Sequence, residues 1–136
     1  MTRWVFIGAG AIGGGLGGRL TQAGEQVVLV ARGRHLEVLR DQGLRLRSPD
    51  ADETVPVRAV AGPDEIELAE DDVLVLATKT QQASSALAEW ADAEVRSGSR
   101  VLGTAGERLP VLTALNGVAS EQLALRYFAR VFGVCV

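Results

Sequence analysis

Three glycines near the N-terminus have the spacing of a turn that binds a pyrophosphate. Gly8, Gly10 and Gly13 follow an apolar run at 4–7 and precede a second apolar run at 27–30. In such a turn the first glycine lets the chain leave a strand sharply, the second lets the backbone approach the pyrophosphate, and the third lets the next helix pack closely on the sheet. The anion then lies at the helix N-terminus, where free N–H groups and the helix dipole favour negative charge. We therefore predict dinucleotide binding, the alternative being a glycine-rich loop that binds nothing. The residues predicted to contact the dinucleotide are Gly8, Gly10, Ala11, Ile12 and Gly13.

The helix predicted after this turn contains further glycines, and each costs about 1 kcal/mol relative to alanine in a helix interior. The same spacing recurs at Gly13, Gly15 and Gly18, but no strand precedes that second set, so we reject it. Two explanations for the extra glycines stay open. In the first, a cofactor or substrate approaches the helix closely at Gly14, and a neighbouring backbone approaches it at the glycines further along the helix. In the second, the helix is loosely packed.

Arg32 stands at the end of the second apolar run, where NAD-binding proteins usually place an acid about 20 residues beyond the glycines. That acid hydrogen-bonds the ribose 2′-hydroxyl and would repel a 2′-phosphate, whereas an arginine pairs with a phosphate, often through two hydrogen bonds. The sequence therefore predicts NADP(H) rather than NAD, with Arg34 as a weaker second contact. The alternative is that Arg32 is a solvated surface charge. His35 is predicted to lie in the first turn of the next helix rather than to act as a base.

Lys79 and Asn116 each follow a predicted strand, at 73–77 and 111–115. In an open α/β sheet, ligands bind at the carboxyl ends of the strands, so both side chains are expected to face the crevice beside the glycine turn. There Lys79 can polarise a carbonyl group or hold a carboxylate, and Asn116 can hydrogen-bond the cofactor or the substrate. The alternatives are a solvated lysine and an asparagine that caps the next helix, since asparagine is a preferred N-cap.

Strands alternate with helices along the whole chain, and this order predicts the elements that position these residues. We expect an α/β fold with one domain over 1–136, a doubly wound and mostly parallel Rossmann-type sheet with helices on both faces. The predicted strands are 3–7, 26–31, 44–47, 54–60, 73–77, 111–115 and 131–136, and the predicted helices are 11–22, 35–41, 64–68, 84–94 and 121–129. The strands at 44–47 and 54–60 alternate apolar and polar residues, as exposed edge strands do.

Several smaller features have structural interpretations. The acidic run at 70–72 is predicted to be a solvated lead-in to a strand rather than a metal site. Leu87 and Trp90 share one face of a helix and are predicted core residues, and Cys135 is predicted to be a small buried strand residue rather than a nucleophile. The apolar strand at 131–136 needs cover on both faces, so we expect a further domain or a partner surface such as a second copy to cover it. The alternative is an exposed edge strand.

Composition excludes several classes of function. The chain has 136 residues, 47% of them hydrophobic, which suffices for one folded domain and argues against disorder. Its 14 basic and 17 acidic residues give a net charge of −3, so no bulk attraction to nucleic acid is expected. No stretch has the length and apolar character of a membrane span and no signal peptide is evident, which together with a single cysteine indicates a cytoplasmic protein. One histidine and one cysteine leave too few ligands for the usual zinc site.

Four segments carry a family resemblance. They are the glycine turn at 8–14, the stretch at 30–36 around Arg32, the strand at 73–79 that ends on Lys79 with Gln82 after it, and the Leu-Asn-Gly-Val sequence at 115–118 with Glu121 after it. In this order they resemble the N-terminal half of the ketopantoate reductases (2-dehydropantoate 2-reductases). The resemblance extends over 1–136, although the segment at 98–109 is longer and more polar than is usual in the family.

The resemblance implies hydride transfer from NADPH to the ketone carbon of a 2-keto acid, which would convert 2-dehydropantoate to pantoate in pantothenate biosynthesis. It places Lys79 and Asn116 near the nicotinamide and the substrate. It also implies that a second, helical domain supplies a catalytic lysine and a substrate-binding acid, and that domain is absent from 1–136. We therefore expect this chain alone to bind NADP(H) but to turn over little or no substrate.

Two other functions stay open. One is a nucleotide-sensing module without catalysis, similar to regulatory domains of potassium-transport systems, which normally carry an acid where this chain has Arg32. Such modules would also lack the pair formed by Lys79 and Asn116. The other is a stable sheet that binds nothing. A sensing module would prefer NADH or ATP, and an inert sheet would bind no nucleotide.

Overall fold

A parallel sheet forms the centre of the molecule. The computed structural model describes residues 1–114 and 118–134. Its strands are β1 Arg3–Ile7, β2 Gln26–Val30, β3 Leu44–Arg47, β4 Asp52–Val55, β5 Arg58–Val60, β6 Asp72–Leu76, β7 Glu94–Ser97, β8 Arg100–Thr104, β9 Pro110–Thr113 and β10 Arg130–Gly133. Its helices are α1 Ala11–Gln22, α2 Gly33–Gln42, α3 Ala83–Ala91, α4 Ala105–Arg108 and α5 Val118–Ala124. Within this described part of the chain the central sheet has six strands in the order β10-β9-β6-β1-β2-β5, and every pairing in it is parallel. The predicted α/β, Rossmann-type architecture is confirmed.

The two faces of the sheet bury different helices, because successive side chains of a strand point to opposite sides. On one face, Val5 of β1 belongs to a cluster with Leu87 and Trp90 of α3. On the other face, Phe6 belongs to a cluster with Leu39 of α2. All five side chains are buried. Helices therefore cover both faces, and the prediction that Leu87 and Trp90 are core residues is confirmed.

The extra glycines of α1 allow this helix to pack tightly. A Cβ at Gly17 would stand 2.7 Å from a methyl group of Leu29 in β2, and a Cβ at Gly18 would stand 2.6 Å from a methyl group of Leu46 in β3. Both distances are too short for two carbon atoms. The explanation by loose packing is therefore wrong here, and the close neighbours are side chains rather than the backbone that we expected. At Gly14 the nearest atom is a backbone carbonyl oxygen of this same chain, at 3.1 Å.

The predicted strand at 54–60 is in fact two strands that join different sheets. β4 pairs antiparallel with β3, whereas β5 pairs parallel with β2 at the edge of the central sheet. Pro56 lies between β4 and β5. Proline has a fixed φ and no N–H to donate to a ladder, so it divides the segment. The prediction of a single strand is wrong for this reason.

A hairpin of β7 and β8 occupies the end of a predicted helix and part of the polar segment at 98–109. α3 ends at Ala91, and the residues up to 94 that we predicted to be helical lead into β7 instead. Gly98 makes the turn with a φ of +62°, which favours glycine. The Arg96 N–H donates to the carbonyl oxygen of Leu68 at 2.8 Å and attaches the hairpin to the rest of the domain.

The remaining predicted elements are present with shifted ends. The observed elements are β2 at Gln26–Val30, α2 at Gly33–Gln42, a 3₁₀ turn at Pro63–Glu65, β6 at Asp72–Leu76, β9 at Pro110–Thr113, α5 at Val118–Ala124 and β10 at Arg130–Gly133. The prediction for Cys135 lies outside the described residues. None of the helices in the described part of the chain has the length and apolar character needed to cross a membrane.

Arg3 and Asp72 form a paired contact at the amino end of the sheet. The Arg3 guanidinium donates from Nε to Oδ1 of Asp72 at 2.9 Å and from Nη2 to Oδ2 at 2.7 Å. The same carboxylate accepts the Ala69 N–H at 2.8 Å. Asp72 is only 2% exposed. The prediction that the whole acidic run at 70–72 is solvated is therefore wrong at Asp72, which is buried because it has these donors.

Candidate functional site

The carboxyl ends of the central strands meet at one edge of the sheet. Ile7 at the end of β1 is in register with Val30 of β2 and Leu76 of β6, and Leu76 is in register with Thr113 of β9. The residues that follow these strands therefore lie side by side. This edge is where ligands bind in open α/β sheets, and it brings the glycine turn, Arg32 and Lys79 into one region.

Two glycines of the turn are required by the packing of the chain itself. Gly8 has a φ of +107°, and a Cβ there would stand 2.7 Å from the carbonyl oxygen of Ala77. A Cβ at Gly13 would overlap the carbonyl oxygen of Gly8, so only glycine lets α1 begin this close to β1. Gly10 differs from both, because among the described residues no atom other than those of its chain neighbours lies within 4 Å of a Cβ placed there. The roles predicted for the first and third glycines agree with this geometry, and none of the residues that the structure describes fills the space in front of Gly10.

The N-terminus of α1 presents unpaired donors next to this space. Gly10 is the N-cap residue and has no side chain with which to cap the helix, and the first turn contains no acid. The first helical hydrogen bond runs from the Gly14 N–H to the Gly10 carbonyl oxygen at 2.7 Å. The N–H groups of Ala11, Ile12 and Gly13 accordingly have no partner in the described part of the chain and are open to an anion or to water.

A cleft of about 330 Å³ opens beside the turn. Its walls come from the glycine turn, the end of β2, the end of β6 and one face of α3. The lining residues that the sequence did not single out are Thr78, Ser85, Ala86 and Glu89. Thr78 follows β6, whereas Gln82, Ser85, Ala86 and Glu89 recur at helical spacing from the residue before α3 along that helix, and this spacing after a strand could have identified the wall.

Arg32 lies at the mouth of the cleft and is paired with an acid. Its Nη2 is 3.5 Å from Oε1 of Glu89, and 76% of the Arg32 side chain and 42% of the Glu89 side chain are exposed. The prediction of a solvated or phosphate-binding arginine did not include this partner. No sequence signal links the two residues, since they come from different elements.

A larger groove of about 1390 Å³ lies on the other side of the pair formed by Arg32 and Glu89. Its acidic lining residues outnumber its two arginines, and they are Asp64, Glu65, Glu67, Glu89, Asp92 and Glu94. Glu65 accepts hydrogen bonds from the Ala61 N–H and from the Arg40 guanidinium. These contacts, first of all the one from Ala61, hold the pKa of Glu65 below its usual value. The groove is therefore a negative surface next to the mouth of the cleft.

Lys79 lines the cleft three residues after the end of β6. Its carbonyl oxygen accepts the Gln82 N–H at 2.9 Å, which starts a 3₁₀ turn and fixes the backbone at Lys79. Its side chain is exposed, and no carboxylate of the described residues lies within ion-pair distance of the ammonium group. The hydroxyl of Thr78 next to it is buried and has no hydrogen-bond partner among those residues. An unpaired cation and an unpaired hydroxyl thus occupy the same wall.

Comparison with known proteins identifies the family. The sequence profile of the ketopantoate reductase PanE/ApbA family matches residues 4–136. This chain belongs to that family. The 2-dehydropantoate 2-reductase of Mesorhizobium japonicum is 38% identical over 114 residues, which are 83% of this chain and 31% of that protein.

Solved structures have the same fold as this ketopantoate reductase family member. A PanE/ApbA family ketopantoate reductase of Ralstonia eutropha has a TM-score of 0.77 at 27% identity, over 98% of this chain and 40% of that one. D-mandelate dehydrogenase in a ternary structure with NADH and anilino(oxo)acetate has a TM-score of 0.77 at 22% identity, again over 98% and 40% of the two chains, and it shows the fold alone. The chain thus spans 31–40% of the length of these three proteins.

The predicted site residues of this family member are brought together only in part. Lys79, Arg32 and the first two glycines of the turn line one cleft. His35 also lines it and lies in the first turn of α2, as predicted. Asn116 lies outside the described residues, so its roles as a ligand or as an N-cap remain predictions.

Proposed function

We propose that this chain is the NADPH-binding half of a 2-keto acid reductase of the 2-dehydropantoate type. The observation that carries the proposal is the meeting of the glycine turn, Arg32 and Lys79 around one cleft in a chain of the ketopantoate reductase family. Each group alone is common in proteins. Across the adjacent strands β2, β1 and β6 they offer a phosphate-binding cation, a pyrophosphate cradle and a carboxylate-binding cation, in the order that an extended dinucleotide and an acidic substrate require.

The residues present fit a dinucleotide. The free N–H groups at the start of α1 and the empty space at Gly10 suit a pyrophosphate, because the backbone donors there have no competing acid or cap. Arg32 is exposed at the end of β2, where the adenosine ribose lies in this fold, and it can pair with a 2′-phosphate through two nitrogens. We therefore assign NADP(H) as the cofactor, with Gly8, Gly10, Ala11, Ile12, Gly13, Arg32, Lys79 and Asn116 as its contacts.

The reaction proposed is reduction of a ketone to an alcohol. When bound, the nicotinamide supplies the hydride that reaches the keto carbon. Lys79 holds the substrate carboxylate or polarises its carbonyl oxygen, which stabilises the negative charge that develops there. Asn116 adds a hydrogen bond to the cofactor or to the substrate. The acid that protonates the alkoxide comes, by family resemblance, from a helical domain outside 1–136.

Cofactor titration tests the first half of the proposal. The fluorescence of NADPH and NADH is followed as the chain is added, with ATP as a third ligand. We expect the chain to bind NADPH more tightly than NADH, and we expect Arg32→Ala to remove this preference while leaving NADH affinity nearly unchanged. Tighter binding of NADH or ATP would favour a nucleotide-sensing module instead, and absence of all binding would favour an inert sheet.

A turnover assay tests the second half. With saturating NADPH and 2-dehydropantoate, we expect residues 1–136 alone to oxidise little or no cofactor, because the family resemblance places the proton donor outside these residues. Rapid turnover by 1–136 would contradict this expectation and would mean that Lys79 or another residue of this chain completes the catalytic apparatus.

A further inference from the structure

Glu89 is the acid that pairs with Arg32. Within the part of the chain that the structure describes, it is the only carboxylate within ion-pair distance of the Arg32 guanidinium. The contact joins one nitrogen to one oxygen at 3.5 Å, so it is neither bidentate nor a short hydrogen bond. Because most of the Arg32 side chain is exposed, this weak contact does not lock the guanidinium in place.

Glu89 itself is held near the mouth of the cleft by its helix. Trp90 and Leu87 beside it on α3 are fully buried, which fixes the position of the helix against the sheet. The Glu89 carboxylate also lies beside Gly62 after β5, since a Cβ at that glycine would be 3.6 Å from Oε1. The acid therefore stands between the ends of β2 and β5 and lines both the cleft and the larger groove.

A 2′-phosphate and Glu89 would compete for the same guanidinium. A phosphate bound through two nitrogens of Arg32 would lie close to the Glu89 carboxylate, and the two negative groups would repel each other. The ribose 2′-hydroxyl of NADH makes the opposite demand, because it can donate a hydrogen bond to a carboxylate, as it does to the acid that usually follows β2 in NAD-binding domains. Glu89 thus opposes the binding of NADPH and favours the binding of NADH.

We infer that Glu89 sets the cofactor preference of this chain by competing with the 2′-phosphate for Arg32. This inference rests on the proposed function and adds to it a specificity residue supplied by α3 rather than by the end of β2. Removing the charge of Glu89 frees Arg32 for the phosphate and removes the hydrogen-bond acceptor that suits a 2′-hydroxyl. The preference for NADPH over NADH then increases.

The test measures the dissociation constants of NADPH and NADH for the full chain and for Glu89→Gln. At an ionic strength of about 0.05 M, surface charges are only partly screened. We expect the NADPH constant to fall about 1.5- to fivefold, the range set by the loss of one exposed ion pair. The NADH constant should stay the same or rise. Glu67→Gln is the matched control, because it removes the same charge from the same groove without touching Arg32, and it should leave the ratio of the two constants unchanged.

The coupling to Arg32 is tested in a double-mutant cycle. In the Arg32→Ala background, Glu89→Gln should change the ratio of the two constants less than it does in the wild-type background, because the competition for Arg32 is gone and only the direct effects of the carboxylate on the ribose substituent remain. The ratio meant is the NADH dissociation constant divided by that of NADPH. The inference is overturned if this ratio does not change in Glu89→Gln alone, or if it falls because NADPH binds more weakly. An effect of the same size in the absence of Arg32 overturns it as well.

The same data separate this inference from the proposed function. If the wild-type chain binds NADPH selectively and Glu89→Gln changes nothing, only the role of Glu89 fails. If the wild-type chain binds neither cofactor, both fail together. Glutamine has the size of glutamate and the side chain is partly exposed, so the variant should fold. Circular dichroism and a urea unfolding curve check this before the titrations.

Discussion

Gly13 packs directly against the carbonyl oxygen of Gly8, so that the first turn of α1 touches the end of β1. A Cβ at position 13 would overlap that oxygen, whereas a Cβ at Gly15 would meet no atom of the described residues within 4 Å apart from the backbone of α1 itself. The two glycines look alike in the sequence but have different reasons to be there. Gly13 is required by a backbone contact, and Gly15 is not required by any contact in the described residues.

This difference predicts opposite effects of alanine at the two positions. Gly13→Ala should destabilise the domain by about 1–3 kcal/mol, the usual cost of overpacking, and should weaken cofactor binding because the turn must shift. Gly15→Ala should stabilise it by about 0.5–1 kcal/mol, because alanine loses less backbone entropy in a helix. Urea unfolding measures both changes, and destabilisation by Gly15→Ala would show that another contact uses that space.

Asp72 and Asp71 are neighbours in sequence with different roles, and this predicts different costs of their removal. Asp72→Ala removes one partner of a buried pair and leaves the Arg3 guanidinium without its carboxylate, so we expect a loss of about 3–5 kcal/mol. Asp71 pairs with the exposed N-terminal ammonium group, with 66% of its own side chain exposed. Asp71→Ala should therefore cost about 0–1 kcal/mol. Similar unfolding free energies for the two variants would contradict the buried pairing.

The sequence predicts the central sheet well, because its strands are unbroken apolar runs that need burial on both faces. It predicts the peripheral strands less well. The break at Pro56 can be predicted from the sequence, since proline interrupts a ladder of hydrogen bonds. The partners of β4 and β5 cannot be predicted, because nothing in the local sequence indicates that the two strands join different sheets. The hairpin turn at Gly98 was readable as well. The helical pattern around Leu87 and Trp90 extends past the true end of α3, and it therefore predicts helix where the first strand of the hairpin begins.

The candidate site also has features that the sequence predicts and features that it does not. The glycine turn, Arg32 and Lys79 could be predicted because each stands at a fixed distance from a strand end. The partnership of Arg32 with Glu89 could not be predicted, because it depends on how α3 lies across the sheet. The burial of Asp72 was also missed, since an acidic run is usually solvated and only the distant Arg3 makes burial of this one acid affordable.

Glu65 predicts a pH dependence of stability. The Ala61 N–H, and then Arg40, hold the pKa of Glu65 below its usual value in the folded state. Because the pKa is lower in the folded than in the unfolded chain, the stabilisation is present at pH values above the unfolded pKa and is lost as the pH falls through the folded pKa. Glu65→Gln should thus lower the urea midpoint at neutral pH, and the difference from wild type should shrink in acid.

A neighbouring acid provides the control for this measurement. The Glu67 carboxylate lines the same groove and accepts no hydrogen bond from the described residues. Glu67→Gln should stay within about 0.5 kcal/mol of wild type, as surface substitutions usually do. A difference for Glu65→Gln that is as large in acid as at neutral pH would mean that its effect does not come from the charge of the carboxylate.

Lys79 is the only lysine of the sequence, so acylation of its amine reports directly on the cleft. If NADPH binds as proposed, it covers the ammonium group and should slow acetylation of Lys79 about tenfold, which matches the lower end of a hydrogen bond to a charged group. The α-amino group of Met1 is an internal control, because it pairs with Asp71 at the opposite end of the sheet and should react at an unchanged rate. Peptide mass spectrometry with and without NADPH measures both rates. Equal acetylation of Lys79 in the two samples, at a NADPH concentration that saturates the fluorescence titration, would identify it as a solvated lysine outside the cofactor site.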